Sequence, residues 1–405
     1  MTEPFYNPVV PDHVPPGLVH DFNMYDPAEP GEDVFQAFRA LHERGLPEIF
    51  WTRTNGGHWV VRKGAAIAEA IRDPSRFSSK RILVPDEQNF DVPFFVPLMS
   101  DPPDHASYRA LCAPLFTPKR IEELRASVTE LTGKLIDEMK PQGGCEFMAD
   151  FALQMPIIVF LRLVDLPGGD REQLLEIATG IVAPEEGELR DTAMQKMFAY
   201  LRPIIADRVA NPADDVFSKM VTGTYEGRPL SVDEMLGLSA TILVGGLDTV
   251  AASLGFVARY LAENPQSRRL LRDGSVNMNA AIDEFLRRYP PTTSGRQVVA
   301  DVEFHGVQMR KKDYITWSAG MYNFDDAIFP DPMKVDFERK RSAHMSLGTG
   351  IHFCVGAFLA RMELEVFIRT WLDRIPEFWV AEGADIQYRL GINMAYQELP
   401  LSWDA

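Results

Sequence analysis

Cysteine is scarce: the 405 residues hold three, Cys112, Cys145 and Cys354, an odd count with no C-x-x-C spacing. A disulfide framework and paired-cysteine zinc sites are thereby excluded, and the pattern suits a reducing compartment, so a cytoplasmic setting is expected. Positive charge is in deficit, with 41 Lys and Arg against 58 Asp and Glu and a net charge of −17. Such a field repels polyphosphates and anionic lipid surfaces, so neither nucleic acid nor a membrane is expected as a partner. H-E-x-x-H, P-loop and G-x-S-x-G patterns are missing, which removes the common zinc hydrolases, nucleotide-binding loops and serine hydrolases. The opening Met1-Thr2-Glu3-Pro4-Phe5 has neither the basic nor the apolar region of a secretion signal.

What is present is a globular composition, 46% apolar and 24% charged, with no repeat or low-complexity tract. Residues 1–30 hold seven prolines and read as an extended arm lying over a body. Apolar residues three and four apart predict helices over 34–44, 64–72, 118–139, 170–179 and 191–211. Alternating patterns predict strands over 57–62 and 302–317, with His305-Gly306 turning a hairpin. The fold class expected is mainly α with a small β region, the chain 1–405 forming a single domain.

Between Glu234 and Arg259 the only charged side chain is Asp248, and Ser231 with Glu234 supplies a capping box ahead of the run. A long buried helix follows. Its length also suits a bilayer span, but four glycines and a central Asp-Thr pair fit a protein interior better. Gly245-Gly246-Leu247-Asp248-Thr249 sits inside this helix, where each glycine costs about 1 kcal/mol relative to alanine. Paired glycines leave a groove for a planar ligand, while Asp248 and Thr249 place a carboxylate and a hydroxyl beside it, a candidate proton relay. A kink with a back-bonded threonine and an ion-paired aspartate is the structural alternative.

The most informative stretch is Leu347-Gly348-Thr349-Gly350-Ile351-His352-Phe353-Cys354-Val355-Gly356, where glycines flank a cysteine at the head of a helix expected to run from 357 to 375. Helix-terminal N–H groups favour a thiolate, so Cys354 is expected to ionise easily. It is then a metal ligand or a nucleophile. Glu284 and Arg287 fall on one helical face ahead of Pro290-Pro291, and His105 and Arg109 lie one turn apart, able to hold an anionic group together.

In this order and spacing, these segments resemble a bacterial cytochrome P-450 over essentially the whole chain. Val19-His20-Asp21-Phe22-Asn23-Met24-Tyr25, Trp51-Thr52-Arg53-Thr54-Asn55-Gly56-Gly57-His58-Trp59 and Leu243-Val244-Gly245-Gly246-Leu247-Asp248-Thr249-Val250 are similar to the camphor-hydroxylase family nearly word for word. The resemblance implies a cytochrome P-450 fold with haem b (iron protoporphyrin IX) held between the long helix, at Gly245, and the cysteine-loop helix. It makes Cys354 the proximal iron ligand and Asp248 with Thr249 the proton-delivery pair. His105, Arg109, Arg296 and His352 become partners of the haem propionates, and Glu284 with Arg287 a buried pair ordering the cysteine loop.

Two departures from the family stand out. The aromatic residue that opens the cysteine loop is replaced by Leu347. The segment Asp91 to Met99 lacks the tyrosine that holds the substrate ketone in camphor hydroxylases, which argues against camphor. The implied pocket has Leu83, Phe94, Phe95, Val244 and Ile392 as walls, with Thr241, Thr292 and Asn393 as replacement donors. The implied activity is monooxygenation of a small apolar terpenoid or norisoprenoid by dioxygen. No flavin or nicotinamide fingerprint is present, so electrons come from a separate [2Fe-2S] ferredoxin and its flavoprotein reductase, met by a basic patch at Arg109, Arg341 and Arg361 on a monomeric enzyme. A peroxide-driven peroxygenase and a haem-based sensor are the rival readings.

Overall fold

The computed structural model describes residues 9–25, 33–82, 95–164, 172–174, 176–177, 190–340 and 343–404. Helices dominate them: α1 (Phe35–Glu43), α2 (Gly64–Arg72), α3 (Asp104–Cys112), α4 (Pro118–Met139), α5 (Gln154–Leu163), α6 (Arg190–Ala210), α7 (Val232–Glu263), α8 (Pro265–Arg272), α9 (Met278–Arg288) and α10 (Ala357–Arg374). Five of the sequence-predicted helices match to within a few residues. The expected helix at 170–179 lies largely outside the described residues.

Helix α7 starts where the capping box predicts. The Glu234 N–H donates to Ser231 Oγ at 3.2 Å and the Ser231 N–H to Glu234 Oε2 at 2.6 Å. It is long and apolar enough to cross a membrane, yet 67% of its apolar window is buried inside the protein, as a helix hydrophobic on all sides must be when it forms a core. Behind it α10 packs against α4 and α7, and Trp371 on α10 meets Phe147, Phe151, Phe367, Phe378 and Trp403 edge-on or tilted.

A five-stranded sheet carries β1 (Ile49–Thr52), β2 (His58–Val61), β3 (Phe77–Ser78), β4 (Thr293–Val298) and β5 (Tyr314–Ser318) in the order β1-β2-β5-β4-β3. The segment 302–317 is not one alternating unit as expected. His305 and Gly306, at φ 48° and 77°, turn a hairpin of Val302–Phe304 on Val307–Met309, a turn that needs two left-handed residues. The chain then leaves it, and β5 pairs antiparallel with β4, placing Trp317 opposite Ser294 and Ile315 opposite Arg296. The proline arm is fastened to this sheet: the His20 N–H donates to the Trp51 carbonyl at 2.9 Å and His13 meets Asp313 at 2.7 Å. Near the C-terminus β6 (Tyr388–Arg389) and β7 (Ala395–Tyr396) form a hairpin beside α7.

The loop that carries Cys354 is tethered through α9. Glu284 and Arg287, 4% and 2% exposed, share two bonds of 2.8 Å. Arg287 also donates to the carbonyls of Pro332 at 2.7 Å and Lys334 at 3.0 Å, while Glu284 accepts from Arg339 and from the Asp336 N–H. Asn323 extends the chain of bonds. Its amide donates to the Arg287 carbonyl at 2.8 Å and to Ser346 Oγ at 2.9 Å, and its oxygen accepts from the Met345 N–H at 2.8 Å. Removing one partner of a buried, saturated pair strands the other charge. Arg287→Ala is therefore expected to lower unfolding free energy by about 3–5 kcal/mol, measured by denaturant titration.

Candidate active site

A cavity of about 430 Å³ lies between the cysteine loop and the middle of α7. On one side the loop closes on itself: the Cys354 N–H donates to the Leu347 carbonyl at 2.8 Å and the Gly348 N–H to the Met345 carbonyl at 2.8 Å. Gly348 and Gly350 stand at φ 69° and 66°, and a side chain at Gly348 would meet the His352 carbonyl at 3.2 Å. The glycines thus fold the loop tightly enough to bring Cys354 to the cavity wall. Leu347, at the position where the family carries an aromatic ring, lines the same wall.

The expectation that this thiol ionises easily is not met by the protein alone. Burial pushes it up, while the Gly356 N–H and the charges of Arg109 and Arg361 pull it back. An enclosed sulfur two residues ahead of the α10 N-cap gains less from the helix terminus than it loses by leaving water. A cation bound to the sulfur would reverse that balance. Among the described residues no group of three or more His, Cys, Asp or Glu side chains converges, so a metal at Cys354 must bring its remaining ligands with it.

The opposite wall is α7. A Cβ built on Gly245 or Gly246 would meet nothing within 4 Å, and both glycines line the cavity. The missing side chains leave a face open to a flat group. Thr249 lines the cavity too, its hydroxyl donating to the Gly245 carbonyl at 2.8 Å; the oxygen lone pairs stay free to accept. Asp248 is not on the cavity wall. Its carboxylate is gripped by both Nη atoms of Arg389 on β6 and accepts from Asn393 Nδ2 at 2.7 Å. The acid–alcohol pair expected from sequence is therefore split between two directions, and Asn393, which lines the cavity as expected, gives one amide N–H to Asp248 and keeps its other N–H and its carbonyl.

At the cavity edge His105, Arg109, Arg296 and His352 come together from α3, β4 and the cysteine loop. The His105 and His352 rings lie 4.5 Å apart, and Nε2 of each is buried without a hydrogen-bond partner. Burial, then the charges of Arg296, His105 and Arg109, holds His352 down to about 3. Burial pulls Arg296 down to about 10. Arg109 donates to the Phe353 carbonyl at 2.7 Å. Unsatisfied buried donors beside crowded cations form a seat for carboxylates. With the open α7 wall and the facing sulfur, these residues fit a haem carrying two propionates.

Phe95, Thr241, Val244, Thr292 and Ile392 line the cavity as expected, whereas Leu83 and Phe94 lie outside the described residues. The Thr241 hydroxyl is back-bonded to Gly237 at 2.8 Å, leaving it as an acceptor. Sequence reasoning missed Val159, Phe160 and Leu163 of α5, whose apolar run gave no sign of which face meets the cavity, and Ser294 and Trp317, which only strand register brings there. Of the basic residues expected to meet a donor protein, Arg361 pairs with Asp283 at 2.9 Å, and Arg341 lies outside the described residues. Phe353 and Phe358, 44% and 55% exposed, stand beside the cysteine.

A helical fold with a cysteine loop facing a diglycine helix across an apolar cavity defines a haem-thiolate oxygenase. Comparison with known proteins gives the same class: the family model "Cytochrome P450" matches residues 277–375. The chain is 36% identical to "Probable cytochrome P450 127A1" of Sinorhizobium fredii, over 98% of this chain and 97% of that protein. It is 31% identical to the "Steroid C26-monooxygenase" of Mycolicibacterium smegmatis over 84% of this chain and 87% of that protein. Among solved structures, CYP101C1 and CYP101J2 superpose with TM-scores of 0.91 and 0.89, each 36% identical and covering 98% of this chain and 100% of theirs. The chain belongs to the cytochrome P450 family; it is a monooxygenase whose cofactor is haem b.

Gly348→Ala places a Cβ in a left-handed conformation against the His352 carbonyl. It is expected to lose about 1–2 kcal/mol of stability, measured by denaturant titration of the haem-loaded protein.

Proposed function

We propose that this single-domain cytochrome P450 hydroxylates a small apolar terpenoid or norisoprenoid with electrons from a [2Fe-2S] ferredoxin, as a monomer in the cytoplasm. The observation that carries the reading is the apolar cavity bounded by Cys354 on one side and by Gly245, Gly246 and Thr249 on the other. Its aliphatic and aromatic walls favour a hydrocarbon skeleton over a charged one. The substrate class and the donor rest on the resemblance to camphor hydroxylases.

Haem b, when bound, supplies the redox chemistry that reduces dioxygen and inserts one of its atoms into a C–H bond. The protein's part is binding, orientation and proton handling. Cys354 is the iron ligand, and the Gly245–Gly246 face leaves room for the macrocycle. His105, Arg109, Arg296 and His352 take the propionates. Phe95, Val244 and Ile392 hold the substrate and exclude water. Thr249 accepts a hydrogen bond at Oγ1 while back-bonded to Gly245, and becomes a donor when that bond is exchanged. Asp248, on turning from Arg389 toward the cavity, takes a proton from solvent and passes it to Thr249, returning to the carboxylate. The exposed Phe353 and Phe358, with Arg109 and Arg361 nearby, suit an acidic electron donor despite the overall negative charge.

Cys354→Ala is expected to abolish the thiolate-type absorption of the reduced carbon monoxide complex; an unchanged spectrum in the variant refutes the ligand assignment. Thr249→Ala is expected to keep NADH oxidation while product per NADH falls by about tenfold or more, with peroxide or water in its place. Coupling equal to the parent removes Thr249 from the relay. Screening terpenoids for the low-to-high-spin shift tests the substrate class, and absence of any shift across it, with a shift for larger polycyclic ligands, overturns it.

A further inference from the structure

Trp317 lines the cavity, and the expected site makes no use of its indole. It stands on β5 directly opposite Ser294 of β4, and opposed residues of an antiparallel pair send their side chains to the same face. Arg296, two residues beyond Ser294, shares that face, and its Nη1 donates to Ser294 Oγ at 3.2 Å. All three residues line the cavity. Trp317 is 6% exposed, and its indole Nε1 is buried with no hydrogen-bond partner. The indoles of Trp59 and Trp403 are satisfied by Asp313 and the Lys140 carbonyl. Those of Trp51 and Trp371 are unpaired, but neither residue lines the cavity.

A buried N–H with no acceptor is destabilising, and native structures rarely keep one without a ligand or water to satisfy it. Trp317 therefore calls for an acceptor that enters the cavity. A neutral substrate oxygen would leave the desolvated Arg296 beside it uncompensated, whereas a carboxylate satisfies the guanidinium, the Ser294 hydroxyl and the indole together. We propose that Trp317 is a further cofactor-binding residue, donating its Nε1–H to a haem propionate seated with Ser294 and Arg296, next to the seat made by His105, His352 and Arg109. The assignment rests on the reading of this cavity as the haem site.

Trp317→Phe keeps a ring in place and removes only the donor. Trp51→Phe, at an unpaired indole away from the cavity, is the control for losing a buried N–H as such. Haem transfer from each ferric protein to excess apomyoglobin gives the dissociation rate without reference to turnover. Loss of one bond to a charged acceptor predicts roughly tenfold faster haem loss for Trp317→Phe, a shifted propionate bending band in resonance Raman, and no change for Trp51→Phe. Ser294→Ala provides a second route: because it contacts the same carboxylate, its effect on haem loss is expected to be smaller in the Trp317→Phe background than in the parent. Haem loss equal to the parent in both Trp317→Phe and Ser294→Ala overturns the proposal, as does a Trp317→Phe effect confined to terpenoid affinity. Failure of the parent protein to retain haem at all overturns the cavity reading itself.

Discussion

The guanidinium of Arg287 is the point on which the site hangs. Buried beside Glu284, it spreads its donors over a carboxylate and the carbonyls of the 330–334 segment, while Asn323 carries the connection on to Met345 and Ser346. A charge in that position is tolerable only when every donor is used. The geometry that saturates it also fixes the start of the cysteine loop. The left-handed glycines then determine how the loop closes, and Cys354 is held at the cavity by its own N–H bond to Leu347 and by the Gly356 N–H on its sulfur.

Around this frame the site is assembled from groups that lack partners within the protein. Burial pushes the thiol up and pulls Arg296 down, His352 is pulled down by desolvation and by the neighbouring cations, and the Nε2 atoms of His105 and His352 have no partner. Each group resists its own surroundings, and each would be satisfied by one feature of a metal macrocycle bearing carboxylates. Binding energy is thereby stored as unmet demand, which is how a cavity selects a cofactor rather than water.

The two members of the acid–alcohol pair sit on consecutive residues of α7 but face different neighbours. Thr249 looks onto the cavity; Asp248 is bound to the C-terminal hairpin through Arg389 and to Asn393. Consecutive helical positions diverge by about 100°, so adjacency in sequence does not place two side chains at one spot. The hairpin thereby holds the candidate proton donor away from the cavity, on Arg389.

Much of this was legible in the order of residues. The capping box and apolar run fix α7, the glycines around Cys354 mark the loop, and the Glu284–Arg287 spacing places both on one helical face, because these signals are local and act over a few residues. Which face of α5 meets the cavity, the pairing of Trp317 with Ser294, and the capture of Asp248 by Arg389 join segments separated by up to 141 residues. The sequence by itself determined the family, the glycine-flanked cysteine loop and the glycine face, since each is encoded in contiguous chemistry. Only the tertiary structure decided which polar groups are free and which are already spent, because that depends on desolvation and on partners supplied from distant parts of the chain.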